Sequence, residues 1–531
     1  MKPILSAKSL NWLDEESARL GVDPLLLMES ASRGAADWIS EHVPPHSRRR
    51  VVALAGKGGN GGDALGIARW LGLRGAEVWA VVLGEPKGAA ERQAAAFSAC
   101  FPDRLFSATT QDDLAQVVGL ISGADLIIDG LLGVGGRGPL RGLLAQAAEL
   151  INKSPGLIAS IDLPSGLCAD SGEVEEPAVE ADLTLAMGAF KPCHFLPPAA
   201  ARCGELALIP VAYPPGKWEE LLPVAWLLDA DYCRTLLPFR DPFGHKGTFG
   251  RVLVVGSAVG MAGAAALAAE AALRAGAGLV HLACPEPLYQ ILEASLTEVL
   301  VHPFPATEGG RFAPGAASGI AELAQGMEVV VCGPGLGRGP GPQAVVEALL
   351  SSCERVVLDA DGLNALAENP SLRKHLTPAS PTNPRILTPH PGEFARLWRG
   401  TPGEVAPHKL ELARKAAESW GAVVVLKGPP TAIANPAGKV FLNTAGNTAL
   451  AHGGSGDVLA GLIGGLWAQG AEASDAACLG VFLHGRAAEL ASGGGSERAV
   501  LPRDLFPWLS RALRELEGPG LGPCASATPD G

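Results

Sequence analysis

Short apolar runs rich in β-branched residues recur along this chain, with room for one helix between most neighbouring runs. Between residues 51 and about 209 they are VVALA, VWAVVL, LIID, LIASID, LTLAM and LALIP. Amphipathic or alanine-rich segments separate most of them, and this alternation is typical of a mostly parallel sheet covered by helices. The first fifty residues have a helical pattern that leads into the sheet.

A second series of the same kind begins near residue 251. Its runs are RVLVVGS, LVHLAC, VVVCG, RVVLDA, RILTP and AVVVLKG. TAIA and KVFLN follow on either side of the turn signal NPAG, which predicts an antiparallel hairpin. Between the two series, residues 210–235 are rich in proline and lack a strong period, so they suit a linker or a docking arm.

The chain is therefore predicted to be an α/β protein with two domains, since 531 residues exceed what one hydrophobic core usually supports. We place the first domain at 1–215, the linker at 216–235 and the second domain at 236–510. The end of the chain, EGPGLGPCASATPDG, is rich in Gly, Pro and Ser, and residues 511–531 are predicted to be a disordered tail.

Composition excludes several classes of partner. The formal net charge of −13 disfavours a nucleic-acid partner, because phosphate contacts need a basic face. Ten cysteines are scattered without a CxxC pair, which favours reduced thiols in a reducing compartment. The N-terminus lacks the apolar core of a signal peptide, and no uncharged apolar run is long enough to span a bilayer. These features predict a cytoplasmic protein without a membrane partner.

The turn Gly56–Gly61 fits GxGxxG, the fingerprint of a dinucleotide-binding βαβ unit. Glu85 lies near the end of the second strand, where a dehydrogenase would hold the ribose hydroxyls. Asp63, however, would repel a pyrophosphate placed at the start of the same helix. Asp63 could equally be a first-turn acid that stabilises its own helix.

Polar side chains also follow later strands of the first series. Asp129 ends the run LIID, and Asp162 and Ser165 follow LIASI. Ligands of doubly wound sheets bind outside the carboxyl ends of the strands, so these residues and Asn60 could converge on one crevice. Each of them alone also suits ordinary turn chemistry. Together they favour a site, and oxygen ligands without histidine or cysteine suit a hard cation.

LLLMESA, GNGGD, DGLLGVG and DLPSGLCAD, in this order and spacing, resemble the YjeF N-terminal family of NAD(P)H-hydrate epimerases over most of residues 1–215. The resemblance implies a Rossmann-like doubly wound domain in which Asn60, Asp129 and Ser165 hold K⁺ and Asp162 is the candidate acid/base. The hydrated nucleotide would be bound by Gly59, Asn60, Gly61, Gly62, Asp63, Gly133, Val134, Gly135, Gly136, Arg137, Gly138, Pro139 and Asp162. The chain departs from the family pattern at Gly59, usually asparagine, and at Ala64, usually glycine.

Gly453–Gly456 is the strongest signal in the second series, because consecutive backbone N–H groups there can face an anion where a helix begins. Asp457 follows at the helix start. A carboxylate beside a phosphate site is useful when it accepts a proton from a hydroxyl that is being phosphorylated. The alternative is an acid that stabilises its own helix. The chain has no GxxxxGK[ST] motif, so the phosphate site is not a P-loop.

Other strand ends of the second series carry polar or glycine residues. They are Gly333–Gly337, Asp359, Asp361, His390, Glu393, Lys427 and Thr431. A nucleotide contact suits Lys427 and Thr431, although a lone lysine is more often solvated. For His390, a ligand contact and a purely structural role are equally compatible with the sequence.

The segments HKGTFGRVLVVGS, GPGLG, LDADGLN, TPHPGEF, LKGPPTAI and GGSGDVLAG resemble the NAD(P)H-hydrate dehydratase family, which has a ribokinase-like fold, over about 236–510. The resemblance implies catalysis by Asp457, with Mg²⁺ accompanying ADP or ATP. The hydrated nicotinamide would meet Ala264, Gly337, His390 and Asp457. The nucleotide would be held by Lys427, Gly428, Pro429, Pro430, Thr431, Asn447, Gly453, Gly454, Ser455 and Gly456.

The two resemblances together predict a bifunctional repair enzyme. It would interconvert the R and S hydrates of NADH and NADPH and dehydrate the S form at the expense of ADP or ATP, with ADP favoured by the fused arrangement. The family also suggests a homo-oligomer. One alternative is a ribokinase-like kinase of a vitamin alcohol with a regulatory first domain. The other is a non-catalytic scaffold, against which the acidic charge and Asp129, Asp162 and Ser165 argue.

Overall fold

A computed structural model of the chain describes residues 1–136, 139–376 and 384–518. The chain forms two compact units. The first comprises residues 2–225 together with 406–408, and the second comprises Met1, 226–405 and the chain from Lys409 onward. The division at 225 falls inside the predicted linker.

The first unit alternates strands and helices, as the apolar runs predict. Its strands are β1 (Lys2–Ile4), β2 (Arg50–Ala55), β3 (Glu77–Leu83), β4 (Leu105–Ala108), β5 (Leu126–Gly130), β6 (Leu157–Ile161), β7 (Leu183–Met187) and β8 (Glu205–Ile209). Its helices are α1 (Ala7–Arg19), α2 (Pro24–His42), α3 (Gly59–Leu73), α4 (Ala89–Cys100), α5 (Gln111–Gln116), α6 (Val118–Ser122), α7 (Leu143–Asn152) and α8 (Pro215–Trp218). Short 3₁₀ turns lie at Pro45–Arg48, Pro192–His194 and Ala199–Arg202.

Strands β2 to β8 form a parallel sheet in the order β4-β3-β2-β5-β6-β7-β8. The chain runs outward from β2 to β4 and then returns to place β5 on the other side of β2. Ala55 and Gly130 are paired at the carboxyl ends of these neighbouring strands. A reversal of strand order leaves a crevice at that edge, where doubly wound sheets bind ligands.

Alternate residues of the central strand β2 enter two different hydrophobic cores. Val51, Ala53 and Ala55 pack with residues of α2 and α3. Val52 and Leu54 pack with residues of α5 to α7 on the other face. Because both faces of the strand are covered, it reads as a continuous apolar run rather than an alternating one.

The second unit repeats the same architecture with a different sequence. Its strands are β9 (Ala225–Leu227), β10 (Arg251–Val255), β11 (Leu279–Pro285), β12 (Leu300–Phe304), β13 (Val329–Cys332), β14 (Val356–Leu358), β15 (Ile386–Leu387), β16 (Val423–Leu426), β17 (Thr431–Ala434) and β18 (Val440–Asn443). Its helices before β16 are α9 (Ala230–Thr235), α10 (Ala262–Arg274), α11 (Tyr289–Ser295), α12 (Ala316–Ala324), α13 (Pro340–Ser352), α14 (Ala360–Glu368), α15 (Pro391–Trp398), α16 (Pro402–Val405) and α17 (Lys409–Trp420). Helices α18 (Ser455–Ala468), α19 (Ala473–Ser492) and α20 (Leu505–Glu517) follow β18.

Its strands lie in the order β9-β18-β17-β16-β15-β14-β13-β10-β11-β12. The ladder is parallel from β12 to β16, and β16, β17 and β18 are antiparallel, as the predicted hairpin requires. Helix α18 packs closely on α10 at Gly461. A Cβ at that position would lie only 2.0 Å from the carbonyl oxygen of Ala268, so the close approach requires glycine. The predicted α/β class is confirmed.

Three details of the sequence interpretation need correction. Part of the proline-rich linker is ordered as β9, which pairs with β18 through Trp226 and Leu227. Strands β4 and β12 were not predicted. Residues 511–517 are helical rather than disordered, because α20 buries Ala512 and Leu516. The rest of the predicted tail, 519–531, lies outside the described residues.

Among the helices that the structure describes, none combines the length and the apolar character that a membrane span requires.

Candidate functional site

A cavity of about 960 Å³ lies at the carboxyl ends of the central strands of the first unit. The turn between β2 and α3 forms one wall, and the loop after β5 forms another. Among the predicted site residues, those on the cavity wall are Gly59, Asn60, Gly61, Asp63, Gly133, Val134, Gly135, Gly136 and Asp162. The topology therefore brings together residues that are separated by about a hundred positions in the sequence.

Some predicted residues lie elsewhere. Gly62 is buried behind the wall, where a Cβ would lie 2.6 Å from the side chain of Met28. Pro139 is not among the residues that line the cavity. Arg137 and Gly138 fall outside the described residues.

The predicted cation ligands Asp129 and Ser165 are fully buried. The carboxylate of Asp129 accepts hydrogen bonds from Ser165 Oγ at 2.7 Å, Ser165 N at 3.0 Å, Ser160 Oγ at 2.8 Å and Leu131 N at 3.2 Å. All these donors are neutral. Burial outweighs their effect and raises the pKa of Asp129.

Asn60, the third predicted cation ligand, faces the same strand end. A Cβ on Gly133 would lie 3.1 Å from Asn60 Cγ, so the asparagine packs against the loop that follows β5. Its Nδ2 is buried and lacks a hydrogen-bond partner within the described residues. An orphaned buried donor of this kind is costly unless a ligand or water completes it.

Asp162 is held by an ion pair that the sequence did not reveal. Its Oδ1 accepts hydrogen bonds from the ammonium of Lys191 and from Met187 N. Lys191 is completely buried, and its Nζ also donates to the carbonyl oxygens of Ala189 at 3.0 Å and Met187 at 3.3 Å. The backbone of Asp162 has φ = 67°, in the left-handed region that few non-glycine residues adopt.

His194 fixes the backbone of the same residue. Its Nδ1 accepts from Lys191 N at 3.1 Å, so its Nε2 carries the proton and donates to the carbonyl oxygen of Asp162 at 2.8 Å. Burial and the neighbouring Lys191 charge lower the pKa of His194 to about 3, which keeps the ring neutral. Lys191 and His194 lie in the segment AFKPCHF. A single lysine in such a segment would be expected to be solvated, so the sequence does not indicate that Lys191 is buried.

Two further carboxyl groups line the cavity with Asp162. Burial and the charges of Asp162 and Asp14 raise the pKa of Asp63 well above its ordinary value. Burial also raises the pKa of Asp14, which accepts a hydrogen bond of 2.8 Å from the hydroxyl of Tyr213. The cavity thus combines a carboxylate that has a cationic partner with two carboxyl groups whose pKa values are raised, an arrangement suited to acid/base chemistry.

In the second unit, α18 begins immediately after Gly454, which has φ = 103°. Ser455 Oγ at the start of the helix is buried and has no hydrogen-bond partner among the residues the structure covers. Asp457 lies in the first turn. Burial, together with the negative charge of Asp359, raises the pKa of Asp457 to about 7, so this carboxyl can exchange a proton near neutral pH.

Lys427 pairs with Asp359 instead of projecting freely towards a nucleotide. Its Nζ donates to Asp359 Oδ1 at 2.6 Å, and Thr388 Oγ1 donates to the same oxygen at 2.7 Å. A Cβ on Gly456 would lie 3.1 Å from Lys427 Nζ. The start of α18 therefore reaches the ion pair, and a side chain at position 456 would press on the lysine ammonium.

Two of the predicted hydrate-binding residues of the second unit, Gly337 and His390, lie in turns next to this centre. His390 Nδ1 accepts from Gly392 N at 3.0 Å, and burial and the charge of Lys427 lower the pKa of His390. Glu393 closes the same turn, since its Oε2 accepts from His390 N, and burial raises the pKa of Glu393 to about 7. Gly337 N donates to Asp361 Oδ2 at 2.8 Å.

Ala264, the remaining predicted hydrate contact, lies against the GPGLG loop. A Cβ on Gly335 would lie 3.1 Å from the Cβ of Ala264. Small residues therefore let the loop and the start of α10 approach each other closely.

The side chains of two residues predicted to bind the nucleotide form hydrogen bonds within the protein. Asn447 Nδ2 donates a hydrogen bond to Ser492 Oγ at 2.6 Å, and Asn447 Oδ1 accepts one from Ala449 N at 3.1 Å. Thr431 Oγ1 donates to the carbonyl oxygen of Gly428 at 3.3 Å. These side chains shape the loops on which they lie.

Lys409, which the sequence analysis missed, braces the segment Lys427–Pro430. Its Nζ donates to the carbonyl oxygens of Lys427, Gly428 and Pro430. Burial lowers the pKa of Lys409 to about 8. No sequence signal links a lysine at the start of α17 to a loop near residue 428.

Comparisons with known proteins match both units. One family model, described as NAD(P)H-hydrate dehydratase, matches residues 252–511, and another, described as YjeF-related protein N-terminus, matches residues 25–193. A protein of Moorella thermoacetica named bifunctional NAD(P)H-hydrate repair enzyme is 37% identical over 524 residues, which cover 97% of each chain. A protein of Escherichia coli with the same name is 32% identical and covers 90% of this chain and 88% of its own.

One solved structure is an ADP/ATP-dependent NAD(P)H-hydrate dehydratase from Bacillus subtilis, co-crystallised with ATP and Mg²⁺. It is 33% identical, with a TM-score of 0.49, and the match covers 55% of this chain and 99% of that chain.

Proposed function

The chain belongs to the family of bifunctional NAD(P)H-hydrate repair enzymes, and from this premise we propose that each of its two units carries one of the two activities. The first unit interconverts the R and S hydrates of NADH and NADPH in the cavity around Asp162. The second unit dehydrates the S hydrate at Asp457, at the expense of ADP or ATP. A stereospecific dehydratase alone would leave the R hydrate unrepaired, so the fusion serves one purpose.

The observation that carries the dehydratase assignment is the position of Asp457 in the first turn of α18. Anions bind at helix N-termini, and the glycines before Ser455 let a phosphoryl group approach the backbone N–H groups. A general base works best when its pKa lies near the working pH, and Asp457 meets that condition. The buried Ser455 Oγ offers one more donor to the same group.

The reaction balances through these groups. The hydrate carries a hydroxyl on the carbon beside the ring nitrogen, and hydroxide is a poor leaving group. Asp457 takes the hydroxyl proton while the terminal phosphoryl group of ADP or ATP is transferred to the oxygen. The lone pair of the ring nitrogen then expels phosphate, and loss of a proton from the adjacent ring carbon restores NADH or NADPH. Lys427 offsets the charge of Asp359 beside the base.

Mg²⁺ is typically held by one or two carboxylates together with substrate phosphates. The described residues contain no group of three or more His, Cys, Asp and Glu side chains arranged to hold a metal ion. Asp361, whose charge acts on Asp457, offers carboxylate oxygens of the right kind near the proposed phosphate site. Mg²⁺ bound with the nucleotide would neutralise charge on the phosphoryl oxygens.

In the first unit, the buried Asp129 supports the proposed K⁺ site. Its hydrogen-bond donors are neutral, so a monovalent cation would offset its charge. Asn60 and Ser165 add oxygen atoms that can bind the cation. The carbonyl oxygen of Leu132 lies 3.2 Å from Ser165 Oγ and so lies beside the same proposed site. We place the hydroxyl-bearing ring carbon of the hydrate beside Asp162, with the Gly133–Gly136 loop on the nucleotide.

The test incubates the full chain with chemically hydrated NADH and either ADP or ATP. Return of the reduced-nicotinamide absorbance supports the proposal. Phosphorylation of a vitamin alcohol with no return of absorbance would instead favour the small-molecule kinase. A protein with neither activity would fit the scaffold alternative.

A further inference from the structure

A second, smaller cleft of about 290 Å³ lies on the second unit, and nothing above assigns it a ligand. Its lining residues are Arg338, Asn364, Ala367, Glu368 and Arg396. They come from the loop before α13, from α14 and from α15. Both arginines are exposed, so two guanidinium groups face solvent in one concave surface.

Hydrogen bonds connect this cleft to the proposed hydrate site. Arg396 donates to Asn364 Oδ1 at 3.1 Å, and Asn364 Nδ2 donates to Asp361 Oδ1 at 3.0 Å. The other oxygen of Asp361 accepts from Gly337 N. Asp361 also acts electrostatically on Asp457, so a chain of polar interactions leads from the cleft towards the proposed base.

The arginines are not locked in tight ion pairs. Arg338 Nη1 lies 3.6 Å from Glu368 Oε1, and its Nε lies 4.0 Å from Asp361 Oδ1. These separations exceed those of charge-assisted hydrogen bonds, which are about 2.7–2.9 Å. A third arginine, Arg311, approaches the space above Gly337, where a Cβ would lie 3.1 Å from its Cδ. Cations therefore border the surface from Gly337 to the far end of the cleft.

We infer that the cleft between Arg338 and Arg396 binds the phosphates of the hydrated dinucleotide while its nicotinamide ring lies at Asp457. Planar guanidinium groups bind phosphate through two parallel hydrogen bonds, which suits them to this task better than lysine. The inference rests on the proposed dehydratase function and adds the site of the anionic part of the substrate. The glycines before α18 remain for ADP or ATP.

Three kinds of phosphate could occupy the cleft, and the substrates distinguish them. The pyrophosphate is common to hydrated NADH and NADPH. The 2′-phosphate occurs in the NADPH hydrate alone, and the hydrate of reduced nicotinamide mononucleotide has no pyrophosphate. The phosphates of ADP are tested separately through the KM for ADP.

The experiment measures steady-state dehydration by the full chain with Arg338→Gln, Arg396→Gln and both together. Each substitution should raise the KM for the NADH hydrate about 10-fold, as expected for loss of a charged hydrogen bond, with little change in kcat or in the KM for ADP. The KM for the mononucleotide hydrate should change less. A larger effect on the NADPH hydrate would place the 2′-phosphate in the cleft.

Glu368→Gln provides an opposite test, because it removes the carboxylate that competes with phosphate for Arg338. It should lower the KM for the dinucleotide hydrates. Arg511→Gln is the matched control, since it removes one exposed positive charge from α20 of the same unit. It should leave every constant unchanged. Circular dichroism establishes that each variant is folded.

Unchanged KM values for the hydrates in the folded double variant would overturn the inference, while an active wild type would leave the proposed function intact. A rise in the KM for ADP alone would also overturn it, because the cleft would then serve the nucleotide. A wild-type protein that never restores NADH would refute the proposed function and this inference together.

Discussion

Replacing Asp457 with asparagine should abolish dehydration and at the same time stabilise the second unit at neutral and alkaline pH. Burial and Asp359 raise the pKa of Asp457 from 3.8 to about 7. Because one pKa unit corresponds to about 1.4 kcal/mol, ionised Asp457 costs the folded state about 4 kcal/mol. The cost is absent below pH 3.8, where both states are protonated, and it grows until the pH passes 7.

The free energy of unfolding of wild type and Asp457→Asn should be compared at about pH 8 and about pH 5. The gain should be larger by about 2–3 kcal/mol at the higher pH. Burying the neutral amide costs the same at both values, so the difference reports the ionisation of Asp457 together with its interaction with the charge of Glu393. Equal gains at both pH values would contradict the raised pKa, because Asp457 would then ionise near its ordinary value.

The same ionisation predicts the rate profile. Dehydration by the wild type should fall as the pH drops below about 7, because the base becomes protonated. Burial also brings the pKa of Glu393 to about 7, so Glu393→Gln is the necessary control. If Asp457 is the base, Glu393→Gln keeps the fall in rate on the acidic side of the pH profile. The fall moves to lower pH, because the negative charge of Glu393, which raises the pKa of Asp457, is lost. Disappearance of the fall would assign it to Glu393.

Three further predictions concern the first unit. Lys191→Met should slow epimerisation, because it removes the ammonium that holds Asp162, while dehydration of the S hydrate is unchanged; equal loss of both activities would contradict this assignment. Gly133→Ala should impair epimerisation because its Cβ would press on Asn60, whereas a Cβ on Gly135 meets nothing within 4 Å and should have a smaller effect. Exchange of K⁺ for tetramethylammonium should lower epimerisation without changing dehydration, and identical rates would argue against the cation site.

The carboxyl-end residues of the first sheet could be predicted because the topology itself brings them together. Parallel strands end at one edge, so Asn60, Asp129 and Asp162 follow from the spacing of apolar runs. The ion pair of Asp162 with Lys191 could not be predicted in this way. Burial of a lysine depends on how the chain folds after β7, and its sequence neighbours do not show that the site is closed to water.

Long-range pairs account for most of what the sequence analysis missed. Tyr213 meets Asp14 across 199 residues of sequence, and Lys427 meets Asp359 across 68. The family resemblance implies that Lys427 contacts the nucleotide, and the structure adds its ion pair with Asp359, which no sequence pattern showed. Strand β12 was missed because His302 and Pro303 interrupt its apolar pattern. The predicted tail began too early, because the Gly/Pro-rich composition starts only at Gly518, after the end of α20.

The separation of the two activities can be tested with one assay on a mixture of R and S hydrates with ADP. Asp457→Asn should interconvert R and S but restore no NADH. Asp162→Asn should restore NADH from the S hydrate and leave R to its slow uncatalysed conversion. Loss of both activities in either folded variant would contradict the assignment of the two reactions to two separate sites.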